Sequence, residues 1–118
     1  MDLFVNPWTI VVFSTGLLFG LSGWILKRYP PKSINWLYGY RTRNSMKSQA
    51  RWDFAQKFAG IQMVRSGIYL MLLSLPGPWL PLSMGAMLGL SLGLILIFAL
   101  VPVLIVEAEL KKRFNQTE

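Results

Sequence analysis

Apolar residues fall in three long blocks, divided by a basic loop and a proline-rich break. No charge occurs from Leu3 to Leu26, and the run from about Trp8 to Leu26 is mostly apolar. A bilayer core about 30 Å thick takes roughly 20 helical residues, so this run predicts a first spanning helix. Pro7 suits its opening turn, where a missing N–H costs nothing. Trp8 and Trp24 stand near the two ends, where aromatic anchors collect. Lys27, Arg28, Tyr29 and Pro30-Pro31 end it. The second block, about Phe54 to Leu75, is mixed. It carries Gln56, Lys57, Gln62, Arg65 and Ser66 before the strongly apolar Ile68–Leu75, and Pro76-Gly77-Pro78 closes it. The third, about Leu82 to Val106, holds 25 residues without a charge. It is slightly long for an upright span, which predicts a tilt, and Pro102 predicts a kink. The charged tail 107–118 is expected to prolong this helix by a turn or two.

No block shows the apolar/polar alternation of a barrel strand, and three strands close no barrel. The fold class is therefore all-α, an integral membrane three-helix bundle forming a single membrane domain. An acidic start (Asp2) and a bulky, basic end argue against reading the first block as a cleaved signal peptide.

Composition fits this picture. The chain has 118 residues, 53% hydrophobic and 14% charged, where soluble domains carry about 25% charged. Mean hydropathy is +0.44. With no Cys and no His, thiol and imidazole catalysis, Cys/His zinc sites and axial-ligand haem sites are excluded, and no cofactor is expected. Charge fixes the expected topology. Lys27, Arg28, Lys32, Arg41, Arg43, Lys47 and Arg51 crowd one loop without an acid, and Lys111, Lys112 and Arg113 sit in the tail. Met1–Pro7 and Pro76–Pro81 contain no Lys or Arg. The positive-inside rule then places the N-terminus outside, the 27–53 loop inside, the proline turn outside and the tail inside, a multi-pass arrangement. A two-helix alternative leaves Ile68–Leu75 without a role. The net charge of +7 and the aromatics Trp36, Tyr38 and Tyr40 among basic residues would also suit single-stranded nucleic acid. Orientation and attraction to anionic inner-face lipid explain the same charge more simply, so no nucleic-acid partner is expected.

Small residues suggest how the helices meet, since lipid gives them no hydrophobic reason to associate. Gly85, Gly89 and Gly93 make two overlapping small-xxx-small motifs, and Gly16 and Gly20 a third. They predict packing of helix one on helix three, or a homo-oligomer seam. Arg65 lies about ten residues, roughly 15 Å, from the outer end of its helix. Gln62, Arg65 and Tyr69 share one face. Two readings stand: an anion-binding cavity inside the bundle, or an arginine that snorkels to the interface and pairs with Glu107 or Asp53.

The loop is unusual. Around Gly39 it packs Asn35, Trp36, Tyr38 and Tyr40, then Arg41, Thr42, Arg43, Ser45, Met46 and, further on, Trp52. Gly39 lets the chain turn, the aromatics suit headgroup depth, and Arg41 and Arg43 suit phosphate. An interfacial loop is expected, with Thr42 or Ser45 capping an amphipathic start to helix two over Ser45–Lys57. The pattern Gly39-Tyr40-Arg41-Thr42, then Ser45-Met46, then Trp52, with Asn35 and Phe54 as weaker matches, resembles the SdpI family of small bacterial membrane proteins. That resemblance covers about residues 8–106. It implies immunity against a membrane-active toxic peptide and, in some members, signalling by recruiting a transcriptional repressor.

Three functions follow. One is a non-catalytic binding and immunity protein with Trp79 at the outer turn for peptide contact. Another is binding or processing of a phosphorylated lipid headgroup, with Asp53, Glu107 or Glu109 as the base for any chemistry. The last is a structural subunit of an oligomeric complex. The candidate ligand-binding residues are Asn35, Tyr38, Gly39, Tyr40, Arg41, Thr42, Arg43, Ser45, Trp52, Gln62, Arg65 and Tyr69. No metal site is expected.

Overall fold

A computed structural model describes residues 5–114; Asp2 and the end of the tail, 115–118, lie outside them. Three helices follow in order: α1 (Pro7–Arg28), α2 (Gln49–Ser74) and α3 (Met84–Phe114). A 3-10 turn, Gly77–Trp79, links the last two. Strand structure is absent among the described residues. The body measures 54 × 25 × 20 Å.

Each helix starts where a side chain satisfies a free N–H. Asn6 Oδ1 accepts from the Thr9 N–H at 3.0 Å to cap α1. Ser48 Oγ accepts from the Arg51 N–H at 3.2 Å to cap α2. The cap of α2 is thus neither Thr42 nor Ser45: those two pair with each other in a turn before the helix. α2 begins at Gln49, inside the Ser45–Lys57 stretch expected as its amphipathic start and ahead of the apolar block near Phe54, because Ser48 supplies the cap and Trp52 and Ala55 are buried from the first turns. α3 runs through Pro102 and two turns past Val106, since Val106 and Leu110 bury against Leu26, Ala55 and Ala59. α1 and α3 are long and apolar enough to cross a membrane. The mixed composition of α2 keeps it short of that standard.

α1 packs on α2, and not, as the Gly16/Gly20 pair suggested, chiefly on α3. The contact is antiparallel and built on two glycines seven residues apart in each helix. Gly16 meets Gly67, and Gly23 meets Gly60. A Cβ on Gly67 would lie 2.5 Å from the Gly16 carbonyl oxygen, and one on Gly60 would lie 2.8 Å from that of Gly23. A seven-residue spacing keeps a seam facing its partner along the helices, and the missing side chains let the backbones touch. By contrast, a Cβ on Gly85, Gly89 or Gly93 would meet nothing within 4 Å.

The two ends of the bundle differ. At one end Trp8 Nε1 donates to the Leu73 carbonyl at 2.8 Å and Thr9 Oγ1 to that of Ser74 at 2.8 Å. The other end gathers Lys27, Arg28, the basic loop and the last turn of α3, where Arg51 Nη2 donates to the Phe114 carbonyl at 3.2 Å.

Candidate functional site

The residues around Gly39 form a folded lip across the α1–α3 gap. Gly39 has φ +105°, which side-chain-bearing residues rarely adopt. The turn before it is held by Asn35, whose Oδ1 accepts from the Leu37 and Tyr38 N–H groups at 2.9 and 2.8 Å. After it, the wholly buried Gln56 of α2 pairs with the Tyr40 backbone. Its Oε1 accepts from the Tyr40 N–H at 2.7 Å and its Nε2 donates to the Tyr40 carbonyl at 2.7 Å. That two-point clamp satisfies backbone groups that would otherwise be buried without partners. Trp52, also wholly buried, donates from Nε1 to the Pro31 carbonyl at 2.8 Å and pins the loop's first half.

α3 grips the same lip through Glu107. The Tyr40 hydroxyl donates to Glu107 Oε2 at 2.6 Å, and Thr42 Oγ1 donates to the same oxygen at 2.9 Å. The expected Arg65–Glu107 pair does not form, because Glu107 turns to these two hydroxyls. Arg41, exposed, donates to the Trp36 carbonyl.

Two cavities meet at Tyr40. The larger, about 560 Å³, is lined by Ser22, Ile25, Leu26, Met63, Val103 and the segment Tyr38–Thr42. The smaller, about 240 Å³, is lined by Phe19, Ala59, Phe98, Ala99, Pro102 and Val106. Tyr40, Met63 and Val103 belong to both. One wall therefore separates a mouth carrying Arg41, the Tyr38 and Tyr40 rings and Thr42 from an almost wholly apolar recess. An amphipathic molecule fits such a site, with its polar end at Arg41 and its apolar part toward Phe19 and Phe98.

Burial and the neighbouring Glu107 push the Tyr40 phenol well above its ordinary range. Its folded value exceeds its unfolded value, so the stabilisation is complete below pH about 10 and is lost as pH rises beyond it. At pH about 11 the difference between wild type and Tyr40→Phe is expected to contain no phenolate absorbance, whereas an ordinary tyrosine would contribute nearly its full band.

The expected site residues divide. Tyr38, Gly39, Tyr40, Arg41 and Thr42 line the larger cavity. Asn35, Ser45 and Trp52 support the lip from behind through backbone hydrogen bonds. Arg43 is exposed and lines neither cavity. Gln62, Arg65 and Tyr69 line a separate cavity on the α2–α3 side. Sequence reasoning missed Gln56, Met63 and Val103. Gln56 was visible only as a polar residue on the face of α2 that carries Trp52, Ala59 and Gly60; Met63 and Val103 look like any lipid-facing residues.

The chain matches the model of the SdpI/YfhL protein family over residues 32–106. It is 45% identical over 58 residues to YfhL of Bacillus subtilis (strain 168), covering 46% of this chain and 53% of that protein. The alignment thus spans about half the length of that relative. No solved structure matches the chain. The matched region contains the lip, α2 and most of α3, and the chain belongs to the SdpI/YfhL family.

Proposed function

We propose that this SdpI/YfhL family member is a membrane-embedded binding protein that protects its cell from a membrane-active toxic peptide, with the cleft at Tyr40 as the peptide's seat. One observation carries the reading: a polar, Arg41-bearing mouth shares the Tyr40–Met63–Val103 wall with an apolar recess. A membrane-active peptide has the same amphipathic division.

In this reading all three helices cross the bacterial cytoplasmic membrane. The mixed composition of α2 is tolerated because Gln56 lies against the lip, Gln62 and Ser66 are buried toward α3, and its glycines lie against α1. The N-terminus is outside, since the basic loop and the end of α3 share one end of the bundle. The inner lip then carries Trp36 and Leu37, 80% and 92% exposed, as the surface for anionic lipid and for a cytoplasmic signalling partner such as a repressor. The open Gly85–Gly89–Gly93 face is the seam for a second copy.

The test is a challenge of cells, with and without this protein, by a panel of membrane-permeabilising peptides. Wild type is expected to raise the inhibitory concentration of at least one. Arg41→Ala removes a charged contact worth about 1.5–3 kcal/mol and so weakens protection roughly tenfold or more. Full protection by an Arg41→Ala protein that inserts normally would exclude the cleft mouth as the seat.

A further inference from the structure

Arg65 lines a cavity of about 290 Å³ between α2 and α3, together with Gln62, Ser66, Tyr69 and, from α3, Ile97, Phe98, Val101, Pro102 and Ile105. Gln62 and Ser66 are 6% and 5% exposed. Even so, no described residue offers Gln62, Ser66 or Arg65 a hydrogen bond or ion pair. Their polar atoms reach the cavity instead of another residue of the chain. Buried amides and hydroxyls are normally satisfied, and a guanidinium inside a membrane normally has a partner. No carboxylate lines this cavity. Cation and donors thus converge with nothing to receive them.

Depth narrows the ligand. Gly60 lies against the Lys27 backbone, at the start of the basic end of α1. Arg65 is five residues further along α2, about 7.5 Å deeper. A guanidinium on its long stem reaches headgroup phosphates from that depth. The cavity opens sideways, since Arg65, Tyr69, Ile97, Val101 and Ile105 are exposed on the flank. Arginine's planar fork matches the phosphate oxygens, and Gln62 and Ser66 add neutral donors. Ile97, Val101 and Ile105 would lie along the first methylenes of an acyl chain.

We propose that Gln62, Arg65, Ser66 and Tyr69 form a site for the phosphate of an anionic phospholipid of the leaflet facing the basic end of the bundle. It is distinct from the cleft at Tyr40, whose apolar recess it meets only across the shared wall of Phe98 and Pro102, and it stands whether or not that cleft binds a peptide.

Native mass spectrometry of the full chain in neutral detergent, titrated with phosphatidylglycerol, tests this. Wild type is expected to retain one phosphatidylglycerol roughly tenfold more tightly than phosphatidylcholine. Arg65→Gln is expected to remove that preference, Gln62→Leu to weaken it, and Arg41→Ala to leave it intact; helical circular dichroism confirms that each variant is folded. Adducts equal in wild type and Arg65→Gln, or lost in Arg41→Ala alone, would overturn the proposal. So would displacement by millimolar inorganic phosphate, which would make the ligand a free anion. A dimer that dissociates on Arg65→Gln without any lipid adduct would assign the arginine to a protein carboxylate instead.

Discussion

Gly67→Val is expected to force α1 away from α2 and to destabilise the bundle by about 1–3 kcal/mol, the usual cost of over-packing a close contact. The first methyl already has no room. A Cβ there would sit 2.5 Å from both the Gly16 carbonyl oxygen and the Gly20 amide nitrogen, and these are backbone atoms that cannot swing aside. Valine adds two further carbons on a stiff, branched side chain. Gly89→Val is the matched control. It adds the same atoms to α3 where nothing in the chain lies within 4 Å, and its stability as a detergent-dispersed monomer, in which no second copy covers that face, should stay near wild type. Equal losses at both positions, measured by unfolding of the purified protein, would mean that the α1–α2 seam is not the close contact described above.

This seam shows what the sequence could and could not disclose. Glycine-spaced motifs marked surfaces for close approach, but the repeat that attracted notice, Gly85–Gly89–Gly93, is the one left open. The pairs in use, Gly16/Gly23 and Gly60/Gly67, lie seven apart. Gly60 and Gly67 stand in a helix with enough polar residues to hide their regularity. The helical class, the three elements and the proline breaks were readable because each follows from local chemistry: apolar length, a missing N–H, a charge run. Partners were not. Glu107 looked suited to Arg65 by charge and depth, yet it takes two hydroxyl donors from the lip because the loop folds back over α3. Gln56 clamps the Tyr40 backbone across 16 residues of chain, a pairing with no local signature. Arg41 and Arg65, both basic residues suited to phosphate, line different cavities.

The lip explains why aromatic residues surround Gly39. Tyr40 is held at three points: its backbone N–H, its carbonyl and its hydroxyl, by Gln56 and Glu107. Its ring is thereby fixed as the wall between the polar mouth and the apolar recess. Fixing a wall in advance lowers the ordering cost of binding. It also gives the motif a physical reason: glycine for the φ of the turn, tyrosine for the wall, arginine for the mouth, and threonine as the second donor to Glu107.

The most direct measurement is photo-cross-linking in intact membranes, using a biotinylated member of the peptide panel against which wild type protects. A benzophenone side chain placed at Ser22, on the rim of the larger cavity, should form a peptide adduct that unlabelled peptide abolishes. The same group at Leu92, 59% exposed on α3 and lining neither cleft cavity, should form none above background. Adducts of equal yield at Ser22 and Leu92, or none at Ser22 in cells that are protected, would contradict the cleft as the ligand seat.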